Sequence, residues 1–187
     1  MPAIPEPGQA LSDGHVSIRL AAERDIPEVL IAHQEDRRLA AALGLGSPPS
    51  GAQLGRAMEE APARRAAGDG VTLTILEPGC DDCRGQIDAD RFDWEHLHAN
   101  LGIWVAPDAR GRRLGRRALA LAAAWLLDAC GLVRVQLLAA PDNEGAIRTA
   151  LAAGFAHEGV LRSHTRVGHA RVDLAVLSWI ASDSAGR

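Results

Sequence analysis

One short segment constrains the fold more than any other: a strand, a loop rich in arginine and glycine, and a long amphipathic helix follow one another directly. The strand, residues 99–105, is stopped by Pro107. Apolar residues recur at helical spacing over residues 114–130. A helix that begins just after a strand directs its free backbone N–H groups towards the connecting loop. The sequence therefore predicts an anion-binding site where this loop enters the helix.

Five arginines crowd the start of this helix. They are Arg110, Arg112, Arg113, Arg116 and Arg117. The helix dipole disfavours cations at this end by ~0.3–1 kcal/mol each, and the arginines also repel one another. A bound diphosphate would remove both penalties, and glycines at positions 111 and 115 would let the backbone approach it closely. The alternative is a solvated arginine face. Neither a Walker loop nor the Gly-x-Gly-x-x-Gly loop is present.

The rest of the chain predicts a mixed α+β fold with a mostly antiparallel central sheet flanked by helices. The predicted order is β-α-α-β-β-β-α-β-α-β-β. The strands are 16–20, 71–76, 85–92, 99–105, 133–138, 155–162 and 171–179, and the helices are 25–43, 52–67, 114–130 and 143–153. Residues 1–14 are predicted to form a flexible N-terminal arm, residues 15–181 a single domain and residues 182–187 a C-terminal tail.

Composition excludes several other classes of function. A net charge of −4 argues against a general nucleic-acid binder, and the absence of lysine excludes Schiff-base chemistry through lysine. Three cysteines cannot all pair within one chain, and no apolar run approaches the length of a membrane span. Cys80 and Cys83 have the spacing of half a zinc site, but no second cysteine pair follows. We therefore expect a soluble cytoplasmic protein with no metal.

Four segments together resemble the Gcn5-related N-acetyltransferase (GNAT) superfamily, in particular its RimJ/RimL branch. Residues 110–115, Arg-Gly-Arg-Arg-Leu-Gly, resemble the family's diphosphate loop, Gln/Arg-x-x-Gly-x-Gly/Ala. Residues 100–105 resemble the strand before that loop, residues 142–155 the Asn…Gly-Phe helix, and residues 158–162 the strand that follows. The resemblance covers residues 16–180.

This resemblance implies direct transfer of an acetyl group from acetyl-CoA to a primary amine, such as an α-amino group. The strand that ends at Val105 should splay from strand 133–138, with pantetheine in the gap and a backbone amide polarising the thioester. The implied CoA contacts are Ile103, Trp104, Val105, Arg110, Gly111, Arg112, Arg113, Leu114, Gly115, Arg116 and Asn143. Asn143 is equally well explained as a helix N-cap. A homodimer is common in this family.

The sequence departs from the family pattern at several positions. Arg113 replaces the middle glycine of the loop, which helical angles would tolerate. Asn100 stands where many relatives carry a glutamate that serves as or orients the base, Ala146 stands in place of a serine, and no tyrosine is present to act as the general acid. Loss of a general acid typically lowers the rate by ~10²–10⁴. We therefore expect an acceptor amine of low pKa, for which an α-amino group is suited.

Side chains that could replace the family's glutamate as the base lie close to Asn100. His98 precedes Asn100 by two residues on the same strand face, and Asp93, Glu95 and His96 lie in the preceding loop. The predicted catalytic set is His98, Asn100 and Glu95. His33 and Arg37, in the first helix, are expected to contact the acceptor. His157, His164 and His169 are assigned to the terminal hairpin.

Two other functions stay open at this point. The acyl group could come from a carrier protein or an aminoacyl-tRNA, in which case the arginines would face that partner. Alternatively, the domain could bind CoA without catalysing transfer. Binding of acetyl-CoA separates the first alternative from the main hypothesis, and turnover with a panel of amines separates the second.

Overall fold

The computed structural model describes residues 2–8, 10–168 and 170–184, and its centre is one sheet of eight strands. The strands are β1 Leu11–Ser12, β2 Ser17–Leu20, β3 Gly70–Leu76, β4 Gly85–Asp93, β5 His98–Val105, β6 Arg134–Ala139, β7 Ala156–Val167 and β8 Ala170–Ile180. The α-helices are α1 Ile26–Glu35, α2 Leu39–Ala42, α3 Gly51–Ala66, α4 Leu114–Ala129, α5 Glu144–Ala153 and α6 Ala181–Ser184. Short 3-10 turns, Glu23–Asp25 and Pro107–Ala109, precede α1 and follow β5.

The strands lie in the order β1-β2-β3-β4-β5-β6-β8-β7, and every neighbouring pair except β5–β6 is antiparallel. Parallel neighbours require a crossover connection, which α4 supplies between β5 and β6. The predicted α+β class and the antiparallel meander of β3, β4 and β5 are confirmed.

A gap opens in the middle of this sheet. Strands β5 and β6 pair only from His98↔Arg134 to Leu101↔Leu137. Beyond that point β5 continues to Val105 along β4, while β6 continues to Ala139 along β8. The predicted splay between these two strands is therefore confirmed, and the last four residues of β5 have an edge that faces no strand.

Helix α4 covers one face of the sheet. Ala118, Leu119, Ala122 and Leu126 of this helix are fully buried at 0% exposure. Small alanines allow the helix axis to approach the strands closely, and the leucines fill the space between them. Gly115 marks the tightest approach, because an added Cβ there would lie 3.1 Å from Val105 Cγ2. The helix is thereby fixed directly beneath the splayed end of β5.

The predicted helix over residues 25–43 is wrong in one respect, because the chain breaks at Asp36. This residue has extended angles, φ −118° and ψ 92°, between α1 and α2. Its Oδ1 accepts from the backbone N of Arg38 at 3.0 Å, and its Oδ2 accepts from Arg110 Nη2 at 2.6 Å. An aspartate that bonds nearby backbone competes with helical bonding, and here a distant arginine holds it in place.

The N-terminal segment, predicted to be a flexible arm, packs against the domain. Ile4 is fully buried, its N–H donates to the carbonyl of Arg65 at 3.1 Å, and its own carbonyl accepts from Arg65 Nη1 at 2.9 Å. Strand β1 also pairs with β2. At the other end, α6 includes part of the predicted tail, while residues 185–187 lie outside the described residues. Within the described part of the chain, no helix is both long and apolar enough to span a membrane.

Candidate active site

The start of α4 leaves backbone donors uncapped. Arg113 occupies the N-cap position with no side-chain capping bond, and the N–H of Arg117 bonds to its carbonyl at 3.3 Å. The N–H groups of Leu114, Gly115 and Arg116 therefore have no partner within the helix. Together with the positive end of the helix dipole, they are the donors expected of the predicted anion site.

Arg113 does not have the helical angles that would tolerate an arginine at this position of the loop. Its φ of 67° and ψ of 7° are left-handed. This conformation costs a non-glycine residue ~1–2 kcal/mol, which explains why the related loops have a glycine at this position. Arg113 therefore adopts this conformation although its side chain disfavours it.

The other arginines of the loop are partly neutralised by the protein itself. Arg110 pairs with Asp36 at 2.6 Å, Arg112 with Glu77 at 3.1 Å and Arg117 with Asp13 at 2.5 Å. These ion pairs therefore already relieve part of the repulsion that a bound diphosphate was predicted to remove.

Two arginines stay available to an anion. The Nε atom of Arg116 is buried and has no hydrogen-bond partner among the described residues, and the side chain of Arg113 is exposed. Neither side chain forms an ion pair with a carboxylate in the described part of the chain.

Arg110 fixes the loop to the strand that precedes it. Its Nε donates to the carbonyl of Val105 at 3.0 Å while its Nη2 donates to Asp36. The hydrogen bond from Arg110 is the main cause that lowers the pKa of Asp36. One side chain thus connects the end of α1, the end of β5 and the anion loop.

The two loop glycines have different roles. Gly111 has a φ of 78°, which favours glycine. Gly115 is buried, and its hypothetical Cβ would lie 3.3 Å from Thr149 Cγ2 as well as close to Val105. Gly115 therefore permits close packing of α4 on β5, in addition to its predicted role at a phosphate.

Backbone alternation shows which residues of β5 face the gap. The N–H of Ala106 donates to the carbonyl of Arg84, on the β4 side, at 2.9 Å. Since bonded and non-bonded positions alternate along an antiparallel strand, the backbone groups of Trp104 also face β4. Those of Ile103 and Val105 face the gap. The prediction that Trp104 offers its backbone to a ligand does not fit this arrangement.

Two further contacts agree with this alternation. At the start of β5, the carbonyl of Leu97 accepts from the N–H of Val133 on the β6 side at 2.8 Å. At its end, the carbonyl of Val105 accepts from Arg110. Both acceptors are odd-numbered residues. The backbone groups of the odd-numbered residues therefore face the side of β5 that adjoins β6 and the gap.

Asn100 is oriented by a hydrogen-bonded chain on the sheet face opposite α4. Its Oδ1 accepts from Gln136 Nε2 at 2.8 Å, and Gln136 Oε1 accepts from Arg134 Nη2 at 3.0 Å. Arg134 also binds Glu158, whose pKa falls to about 2 mainly because of that bond, and Ser178 Oγ donates to Glu158. With its oxygen occupied, Asn100 presents amide N–H donors, and a neutral amide cannot serve as the base.

The predicted bases cluster near the turn between β4 and β5. His98 Nε2 lies 3.6 Å from Asp93 Oδ2, and its Nδ1 is buried without a hydrogen-bond partner among the described residues. His96 Nδ1 lies 3.0 Å from the same Asp93 oxygen. Bonds from the backbone N and then the side chain of His96 lower the pKa of Asp93, which makes it a weak base. Glu95 is exposed, and its backbone N–H donates to Asp93 Oδ1 at 3.1 Å.

The two predicted acceptor contacts differ in burial. His33 is only 5% exposed, its Nδ1 is buried with no hydrogen-bond partner in the described part of the chain, and burial lowers its pKa. Arg37 is exposed in the turn between α1 and α2. His33 is therefore a neutral group inside the domain, while Arg37 lies at the surface.

The sequence reasoning missed a pair of aspartates on β4. Asp88 is held by Arg64 at 3.1 Å and accepts from Thr72 Oγ1 at 2.7 Å. Asp90 lies directly opposite Asn100 in the β4–β5 register, and burial followed by the charge of Asp88 raises its pKa. The alternation Gln-x-Asp-x-Asp over residues 86–90 signals a polar strand face, but only the register reveals its neighbours.

The remaining candidates have structural roles or stay apart from the gap. Asn143 Oδ1 accepts from the N–H of Ala146 at 3.1 Å, so its interpretation as an N-cap is confirmed. Burial raises the pKa of the Cys83 thiol to about 12, and the described residues contain no group of three metal-binding side chains. His157 and His164 lie on β7, and His169 lies outside the described residues.

Comparison with known proteins agrees with this geometry. The family described as "Acetyltransferase (GNAT) domain" matches residues 15–156. YdaF of Bacillus subtilis (strain 168), described as a candidate ribosomal N-acetyltransferase, is 27% identical over 177 residues, which are 92% of this chain and 94% of YdaF.

Two solved structures show the same fold. Mycobacterium smegmatis RimJ in complex with CoA disulfide has a TM-score of 0.74 and 20% identity, over 92% of this chain and 90% of that one. The ribosomal-protein-S5-alanine acetyltransferase of Vibrio fischeri has a TM-score of 0.78 and 16% identity, over 94% and 98%. The chain therefore belongs to the GNAT family of acyl-CoA-dependent N-acyltransferases and resembles its RimJ/RimL-like members.

Proposed function

We propose that this protein transfers an acetyl group from acetyl-CoA directly to a primary amine, and that the preferred acceptor is an α-amino group. The observation that carries this proposal is the continuity of the sheet gap with the uncapped start of α4. CoA contains a diphosphate and an extended arm with amide groups. The diphosphate would bind at the start of α4, and the arm would lie in the gap. Since acetyl-CoA is the donor, we expect the reaction in the cytoplasm.

The dimensions of the gap support this arrangement. From Val105 back to Leu101, where pairing with β6 resumes, β5 spans about 13 Å at the usual rise per residue. With the diphosphate at α4, the arm would run along this edge and bring the thioester to the closed end. The N–H of Ile103 is then the first free donor for the thioester carbonyl, while Val105 lies closer to the diphosphate.

The loop supplies charge as well as backbone donors. Arg113 and Arg116 would contact phosphate oxygens, and the N–H groups of residues 114–116 would bind them end-on. Arg110 and Arg112, each held by a carboxylate, would position the loop and add to its positive field. Asn143 caps α5 with its oxygen, which leaves its NH₂ group for the amide-containing arm.

The acceptor would approach from the face opposite α4, where Asn100 lies. Asn100 could bind it through N–H, and His33, Arg37, Glu95 and His98 remain proposed contacts around that face. An α-amine with a pKa of ~7.7–8 is partly neutral at pH 7, whereas a lysine with a pKa of ~10.4 is almost wholly protonated. The names of YdaF and the V. fischeri enzyme, with their ribosomal and alanine acceptors, favour a protein N-terminus.

The missing tyrosine is compatible with this reaction. A thiol with a pKa of ~8.5 leaves tolerably as the thiolate. Turnover should therefore be slower than with a general acid but not abolished.

Isothermal titration with acetyl-CoA tests the donor directly. We expect micromolar affinity for the wild type and an affinity about 100-fold lower for Arg113→Glu, because a charged hydrogen bond is lost and a repulsion is gained. Arg148→Glu is the matched control, since Arg148 is an exposed arginine near the start of α5 that pairs with Glu144. It should bind as the wild type does. No binding up to millimolar acetyl-CoA would contradict the proposal and favour a donor carried by a protein or tRNA.

A panel of acceptors tests the preference for α-amines. The panel contains a peptide that begins with alanine, the same peptide with a blocked N-terminus and one lysine, and spermidine. At pH 7 we expect acetylation of the free α-amine only. Faster turnover of the lysine peptide would contradict this preference, and binding of acetyl-CoA without turnover of any amine would indicate an inactive domain.

A further inference from the structure

We propose that Asp90 is the catalytic base that accepts the proton of the acceptor amine, an inference that rests on the proposed acetyl transfer. In that step the amine nitrogen forms a bond to the thioester carbonyl carbon. The C–S bond breaks, the CoA sulfur leaves as a thiolate that water protonates, and the proton lost by nitrogen moves to the Asp90 carboxylate. No oxidant or further reactant is required.

The sheet register places Asp90 level with the closed end of the gap, on β4, the strand next to β5. It lies opposite Asn100 on β4, one residue before Leu101, where the pairing of β5 with β6 ends. Directly opposite residues of an antiparallel pair project from the same face of the sheet. Asp90 therefore shares the face of Asn100 and lies within one strand of the position assigned to the thioester.

This face is the one that an acceptor can reach. The side chains of Ile103 and Val105 point towards Gly115 of α4. Since side chains alternate between faces, Asn100 and Asp90 project away from α4. The helix blocks one side of the gap, so the amine must arrive from the side that carries the carboxylate.

The carboxylates of Asp90 and Asp88 differ in their partners. The Asp88 carboxylate binds Arg64 and Thr72, which fixes its charge in a structural network. The Asp90 carboxylate has no hydrogen bond or ion pair in the part of the chain that the structure describes, although the residue is half-buried. A half-buried carboxylate without a partner is costly unless a ligand pairs with it, and an ammonium group is such a ligand.

The charges around Asp90 favour proton uptake. Burial and the adjacent Asp88 raise its pKa, while Arg91 on its own strand and Arg64 from α3 oppose that rise. Across the sheet it faces Asn100 of β5 and Gly70 of β3, which are both neutral. A carboxyl whose pKa lies above its ordinary value is better matched to a base that works near neutral pH.

His98, the base predicted from the sequence, lies farther from the gap. It precedes Asn100 by two residues, about 7 Å along the strand, and it lies beside Asp93 at the turn. Asp90 lies level with Asn100, without that displacement along the strand.

Steady-state kinetics with acetyl-CoA and an alanine-initiated peptide test the inference. We expect Asp90→Asn to lower kcat by about 100-fold or more and to remove the acidic limb of the kcat–pH profile. Its affinity for acetyl-CoA by titration should be unchanged. Asp128→Asn, at an exposed position near the end of α4, is the matched control and should change kcat by less than about threefold. Asp90→Glu, which retains a displaced carboxylate, should recover part of the loss.

Other outcomes are equally decisive. If Asp90→Asn keeps kcat within threefold of an active wild type, or if His98→Asn shows the loss and Asp90→Asn does not, Asp90 is not the base. If the wild type binds acetyl-CoA but acetylates no amine, the inference fails while the donor site stands. Failure to bind acetyl-CoA would instead remove the proposed function and the inference with it. Thermal unfolding of each variant shows whether a loss reflects misfolding.

Discussion

Helices α4 and α5 both follow a strand of the same sheet, but they begin in opposite ways. The first turn of α5 is closed by its own residues: Asn143 caps the N–H of Ala146, and Glu144 complements the dipole. The first turn of α4 has a left-handed Arg113, no side-chain cap and no acidic residue. The helix that adjoins the gap is the one left uncapped, which points to an external anion as its partner.

The arginines of the two helices differ in the same sense. In α5, Arg148 pairs with Glu144 one turn away. At α4, Arg110 and Arg112 pair with carboxylates 74 and 35 residues distant in sequence. The start of α5 is a local structure, whereas the anion loop depends on the tertiary fold.

The largest expected difference between the two helix starts concerns their second residues, which are both glycines. Gly115→Val should lower the free energy of unfolding by about 2 kcal/mol, because the new side chain would overpack Val105 and Thr149. The matched change Gly145→Val should alter it by less than about 0.5 kcal/mol, since a Cβ there meets only Asn143 Oδ1, at 3.7 Å. Urea denaturation measures both, and equal losses would show that α4 does not pack unusually closely.

The next difference concerns the N-caps. Asn143→Ala should lower the free energy of unfolding by about 1 kcal/mol, because it leaves the N–H of Ala146 without its acceptor. Arg113→Ala removes no capping bond and should change stability by less than about 0.5 kcal/mol. Chemical denaturation of both variants checks this, and a larger loss for Arg113→Ala would reveal a capping role for its side chain.

The smallest expected effect is a gain. Arg113→Gly should raise the free energy of unfolding by about 0.5 kcal/mol, since glycine adopts positive φ without strain. Arg112→Gly is the control, because the φ of Arg112 is not positive and glycine there should destabilise. If Arg113→Gly stabilises the protein but weakens acetyl-CoA binding, the strain is retained for function. Unchanged binding would mean that the guanidinium is dispensable.

The local features of the fold were predictable from the sequence, and the distant contacts were not. The strand, loop and helix around Val105 follow from periodicity, proline and glycine. The break at Asp36 was missed because it depends on Arg110, far along the chain. The left-handed angles of Arg113 had no signal except the departure from a family glycine.

The same distinction between local and distant contacts applies to the candidate site. The splay of β5 was predicted because it accompanies a contiguous motif, and that motif also predicts the diphosphate loop. Asp90 was missed because its position opposite Asn100 depends on the register of two strands across a turn, and register is set by pairing and packing of the whole sheet. Burial of Ile4 and its bonds to Arg65 likewise required the folded domain.

The splayed β5 gives this protein an exposed strand edge in the middle of its sheet. Such an edge can recruit any extended chain and is a common start of aggregation. Here the hazard is reduced in two ways: the open stretch is only Gly102 to Val105, and the guanidinium of Arg110 occupies the carbonyl of Val105. A side chain that orders the ligand loop therefore also shields the free protein from adding a foreign strand.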